Sequence, residues 1–149
     1  MPLKNQLADD LKDAMRQREE QRRNVLRMAL SAVHNAEIAA GKELDDEGVL
    51  GVLSADAKRR RESISEFDKA GRRDLVDKEV AELAILTPYL PEQLSREEIV
   101  AAARRIIEET GATSMKDIGK VMPALMQELR GRADGKAASE AVRELLSGS

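Results

Sequence analysis

At 149 residues the chain is long enough for one ordinary domain or two very small ones. Charged residues make up 36% and aromatic residues 1%, and there is no Cys and no Trp, which excludes disulfide scaffolds, thiolate nucleophiles, iron–sulfur clusters and Cys-ligated zinc. A net charge of −3 argues against blanket nucleic-acid binding but leaves room for a local basic face.

The core must come from Leu, Ile, Val, Met and Ala, because Phe67 and Tyr89 are the only aromatic residues. Ala, Leu, Glu, Lys and Arg dominate, which favours helix over the β-branched and aromatic strands of a sandwich or barrel. No apolar run approaches the roughly 18 residues of a membrane span, and Met1 to Asp10 has no signal-peptide core. A soluble, cytoplasmic protein without membrane association is therefore expected.

Apolar spacing predicts seven helices. The first carries Leu3, Leu7, Leu11 and Met15. The second carries Val25, Ala29, Ala32, Val33 and Ala36, widened by Leu26 and Leu30, and stops near Gly41. Asp45 or Asp46 would cap the third, whose stripe is Leu50, Leu53, Ala57, Ile64 and Phe67, with Arg60 on the same face pairing with an acid or snorkelling. The fourth, with Val76, Val80, Leu83 and Leu86, runs up to Pro88.

Thr87-Pro88-Tyr89-Leu90-Pro91 interrupts the pattern, since each Pro drives the preceding residue towards extended backbone. A boundary is expected there, with an N-terminal four-helix domain over 1–90 and a small three-helix domain over 91–149. Ser95-Arg96-Glu97-Glu98 reads as a capping box for the fifth helix, which carries Ile99, Ala103, Ile106 and Ile107 and ends at Gly111. Thr113 or Ser114 would cap the sixth, with Ile118, Val121, Met122, Leu125 and Leu129. Pro123 lies inside that pattern and predicts a kink or two short helices. Asp134 would cap the seventh, lined by Ala138, Val142, Leu145 and Leu146.

Common catalytic motifs are missing. The single His, His34, has no Cys or second His to form a metal cluster. Gly131-Arg132-Ala133-Asp134-Gly135-Lys136 is one residue short of a phosphate-binding loop and lacks its hydroxyl. No cofactor and no metal are implied. Three basic clusters stand out. Lys12, Arg16, Arg18, Arg22, Arg23 and Arg27 surround the first helix junction, and Lys58 to Arg61 with Arg72 and Arg73 mark the third helix and its end. Both read as salt-bridged surface. The third comprises Lys116, Lys120, Arg130, Arg132 and Lys136. Lys116 and Lys120 are spaced i, i+4, and Arg130 and Arg132 straddle Gly131. Lys136 follows the expected cap Asp134. Two readings stay open for this segment: a helix start that binds phosphate, or a simple C-cap and N-cap pair.

The segments Leu-x-x-Asp-Leu-Lys-x-Ala-Met (Leu7 to Met15), Arg-Arg-Glu-Ser-Ile-x-Glu-Phe (Arg60 to Phe67), Tyr-Leu-Pro-Glu-Gln-Leu (Tyr89 to Leu94), Met-Lys-Asp-Ile-Gly-Lys-Val-Met (Met115 to Met122) and Gly-Arg-Ala-Asp-Gly (Gly131 to Gly135) together resemble the YqeY-like proteins. These are free-standing relatives of the C-terminal tail of the B subunit of glutamyl/aspartyl-tRNA amidotransferase. The resemblance implies an all-α fold and a non-catalytic module that engages tRNA or a tRNA complex. Its partners would be tRNA and an amidotransferase or aminoacyl-tRNA synthetase. The family label of carbon–nitrogen ligase with glutamine as amido donor belongs to parts of the larger enzyme that have no counterpart here. An adaptor that docks on a translation enzyme through an apolar groove is the alternative.

Overall fold

The computed structural model describes residues 1–148. Its helices are α1 (Leu3–Arg16), α2 (Glu20–Ala40), α3 (Asp46–Lys69), α4 (Arg73–Leu86), α5 (Arg96–Thr110), α6 (Ile118–Glu128) and α7 (Gly135–Ser147), and no strand occurs among the described residues. Short 3-10 turns cover Thr87–Tyr89 and Met115–Asp117. The chain divides into two compact units, Met1–Leu90 with α1 to α4 and Pro91–Ser149 with α5 to α7.

The first unit is built around Leu7, Val25, Leu26, Ala29, Val33, Val49, Leu53 and Leu86. The α1–α2 reversal is tight. Arg18 takes a left-handed φ of 57°, and the Glu19 amide closes on the Ala14 carbonyl at 2.9 Å. Asp45 caps α3 by accepting from the Gly48 amide at 2.9 Å. Helices α3 and α4 are joined across their apolar seam by Arg60, which is 8% exposed. Its guanidinium lies 3.5 Å from Asp56, 3.2 Å from Glu79 and 3.4 Å from Glu82. An Arg on an apolar stripe is therefore accommodated by acids from its own helix and the next. The Thr87–Tyr89 turn follows α4, and there the Tyr89 hydroxyl donates to Asp10 of α1. Burial, then the hydrogen bond to Asp10, pushes the phenol pKa up and keeps it protonated.

The second unit has its own core of Ile99, Ala103, Ile106, Val121, Leu125, Leu129, Ala138, Ala141, Val142 and Leu146. Ser95 and Glu98 form the reciprocal capping box at the start of α5. Gly111 ends that helix with φ of 72°, a left-handed conformation in which a Cβ costs roughly 1–2 kcal/mol.

Several side chains depart from the expected stripes. In α1, Ala14 is fully buried and Met15 is 51% exposed. In α3, Val49 rather than Leu50 is fully buried. Val80 of α4 is 48% exposed. The segment around Pro123 is one continuous helix, not two. Pro123 and Gly119 both lie on its exposed face, so the carbonyl that loses its donor is at the surface rather than in the core. The sixth helix also starts later than its capping residues suggest. Ser114 caps the preceding 3-10 turn through the Lys116 amide, and α6 begins at Ile118 without a side-chain cap.

Candidate nucleic-acid interface

The third basic cluster lies in the three-helix unit, on the segments that enter and leave α6. Lys116 occupies the Met115–Asp117 turn and Lys120 the first turn of α6. These two residues are thus not a continuous α-helical i, i+4 pair. Lys120 sits 3.8 Å from Asp117. Arg130 and Arg132 flank Gly131, whose φ of 75° turns the chain towards α7. That turn is fixed from outside itself: the Leu94 amide donates to the Arg132 carbonyl at 2.8 Å, and Gln93 Nε2 to the Gly131 carbonyl at 2.8 Å. All five basic side chains are exposed.

The acids among them are already engaged. Asp117 accepts from the Thr113 amide at 2.9 Å, and this bond, ahead of the Lys120 charge, holds its pKa below the usual carboxylate range. Glu128 is bound by Arg105 of α5. Asp134 caps α7 by accepting from the Lys136 amide at 3.1 Å. A side-chain carboxylate thus occupies the position at the helix start that a phosphate would take, and the Asp134–Gly135–Lys136 turn is a cap. Lys116, Arg132 and Lys136 make no ion pair among the described residues. These three cations are thereby without a matching acid among the described residues.

The other clusters are partly neutralised, although Lys12, Arg18, Arg27, Lys58 and Arg61 likewise make no ion pair among the described residues. Arg22 lies 3.0 Å from Asp13, 3.5 Å from Glu19 and 3.9 Å from Asp10. Arg72 pairs with Asp74 at 3.1 Å, and Arg73 with Asp77 at 3.4 Å. His34 is exposed on α2. Among the described residues no group of three His, Cys, Asp or Glu side chains could hold a metal ion, and no helix is long and apolar enough to cross a membrane.

A feature that sequence reading passed over lies on the four-helix unit. A groove of about 760 Å³ runs between α2 and α4, with Val25 and Met28 among its lining residues. Met28 flanks the α2 stripe and is 64% exposed. An apolar residue at that flank was the one local signal of it.

A family model described as "Yqey-like protein" matches residues 4–146. The protein "Altered inheritance of mitochondria protein 41, mitochondrial" of Pyrenophora tritici-repentis is 31% identical over 146 residues, covering 94% of this chain and 78% of its own length. Its namesake in Lachancea thermotolerans is 40% identical over 85 residues, 56% of this chain and 46% of that one. The Kluyveromyces lactis protein is 38% identical over 107 residues, with 69% and 57% covered. In these last two the match spans about half of the relative's length. The names overturn the cytoplasmic location expected from the sequence, because each of these relatives is called a mitochondrial protein. A Cys-free chain without an apolar span suits either compartment, so composition could not separate them.

Proposed function

The chain belongs to the YqeY-like family, and from that premise we propose that it is a non-catalytic module that binds folded RNA, with tRNA as the ligand class. The observation that carries this reading is the charge pattern of the three-helix unit. Asp117, Glu128 and Asp134 are each held by a protein donor, while Lys116, Arg132 and Lys136 carry no ion pair among the described residues. Lys120 and Arg130 extend the same basic segment. Exposed cations free of internal acids are the groups that replace counterions on a phosphate backbone. Residues 91–149 contain no aromatic side chain on which bases could stack. Recognition would therefore run through phosphates, ribose hydroxyls and the shape of an A-form surface. An amidotransferase or aminoacyl-tRNA synthetase handling the same tRNA is the natural protein partner under this proposal.

The test is a salt series. Titrating folded tRNA transcripts into the wild-type chain and into the double variant Arg132→Ala, Lys136→Ala should show weaker binding by the variant. The slope of log K against log salt should flatten by roughly 0.7–0.9 for each phosphate contact removed. Removing exposed charges should change folding stability by less than about 0.5 kcal/mol. Equal affinity of both proteins across the series would reject the site.

A further inference from the structure

The turn between α6 and α7 is held at two successive carbonyls by two successive residues of the segment that enters α5. Gln93 Nε2 donates to the Gly131 carbonyl at 2.8 Å, and the Leu94 amide donates to the Arg132 carbonyl at 2.8 Å. Gln93 Nε2 also donates to the Pro91 carbonyl at 3.1 Å. Both neighbours of that nitrogen are acceptors only, so the position needs a donor, and a carboxylate or a thioether of similar length has none to give. Leu94 packs its side chain against the core of the three-helix unit, which anchors the segment. Arg132 is thereby gripped on both sides: its amide donates to the Leu129 carbonyl at 2.8 Å, and its carbonyl accepts from Leu94. Its side chain is exposed and makes no ion pair among the described residues. A fixed backbone under an uncommitted cation is the arrangement of a preorganised contact, because the ordering is done before a ligand arrives. Gln93 is itself exposed, so its two hydrogen bonds, rather than apolar burial, are what its side chain contributes.

We propose that Gln93 is a positioning residue for Arg132: through the Gly131 carbonyl it fixes the turn that presents the Arg132 guanidinium to an RNA phosphate. This rests on RNA binding by the basic cluster, and it adds to that cluster a residue that carries no charge and meets no phosphate. Gly131 takes a left-handed φ of 75°. Glycine visits positive and negative φ about equally, so its own backbone preference does not hold the turn in place. Once the Gln93 bond is gone, the turn samples other conformations, and binding has to order Arg132 at the moment of contact. Lys116 and Lys120 lie on the segment that enters α6, which Gln93 does not bond. The loss is therefore partial and confined to the Arg132 side of the cluster.

The experiment uses the full chain and folded tRNA transcripts in a salt series. Gln93→Met keeps the length of the side chain and loses its donors, and Gln93→Ala serves as a second variant. Each is measured alone and combined with Arg132→Ala. Gln93→Met should weaken binding by about three- to tenfold, the scale of one hydrogen bond. It should also flatten the slope of log K against log salt by roughly 0.7–0.9, as the loss of one phosphate contact does. In the Arg132→Ala background the same change should have no further effect, since a positioning residue acts only through the residue it positions. NMR on the isotope-labelled chain supplies a reading without RNA. Gln93→Met should shift the Gly131 carbonyl carbon and speed hydrogen exchange at the Leu94 amide, while the Tm stays that of wild type because Gln93 is exposed. Failure of the unaltered chain to bind tRNA rejects RNA binding and this inference together. Binding by the unaltered chain that Gln93→Met and Gln93→Ala leave intact overturns this inference alone. So does a loss that persists undiminished in the Arg132→Ala background, or a Gly131 carbonyl resonance that does not move.

Discussion

Glu37 lies on the buried side of α2, where an isolated carboxylate would be costly. It is held by the Leu44 amide at 2.9 Å and by Lys4 Nζ at 3.0 Å. The Leu44 bond first, and Lys4 second, keep its pKa below the ordinary Glu value, and burial opposes them without reversing the sign. A depressed carboxylate contributes stability that is fully present above its unfolded pKa of about 4.3 and is lost as pH falls through the folded value. Glu37→Gln should therefore be less stable than wild type at pH 7, and the gap in denaturation midpoint should narrow on acidification below about pH 4. A gap of constant size from pH 7 to pH 3 would contradict this assignment. Sequence reading missed Glu37 because its partners lie 33 and 7 residues away. Arg60 was easier: its place on an apolar stripe left either snorkelling or an acid partner, and the packing of α4 decided for the acids Glu79 and Glu82.

At the scale of the element, the caps are the most legible features. Asp45, Ser95 with Glu98, and Asp134 act within three residues of themselves, so their bonds follow from local sequence. The stripes are less certain at their edges. Neighbouring positions such as Ala14 and Met15, or Val49 and Leu50, differ by about 100° around the helix, and the direction of the partner helix decides which one is covered. Two glycines of α3 make a paired prediction. A Cβ at Gly51 would meet nothing within 4 Å, whereas one at Gly48 would lie 3.1 Å from Leu44 and 3.3 Å from the capping Asp45 carboxylate. Gly51→Ala should therefore stabilise the protein by about 0.5–1 kcal/mol, and Gly48→Ala should forfeit that gain. Chemical denaturation of both variants checks it, and equal gains would show that the α3 start relaxes freely.

At the scale of the molecule, two cores are drawn from separate stretches of chain: one from Leu7 to Leu86, the other from Ile99 to Leu146. Between them Leu90 is extended and Pro91 begins the second unit. Cleavage in this linker severs neither core, so limited proteolysis should nick near residues 87–91 and leave two protected fragments. A single uncut and uniformly protected species would count against separable units.

Composition and apolar periodicity by themselves established an all-α chain, four helices then three, with the caps of the fifth and seventh helices and its proline-marked interruption, and the ordered motifs pointed to the YqeY-like family. These are properties of residues within one or two turns of each other, where spacing and capping chemistry act directly. Tertiary structure alone decided which charges were committed. Arg22 and Arg60 are used up by carboxylates that packing brings to them, whereas Lys116, Arg132, Lys136, Arg27 and Lys78 are left without an ion pair among the described residues. It also opened the groove beside Met28. An ion pair or a groove depends on where another helix lies, and that position is set by the burial of whole faces, which no local pattern encodes.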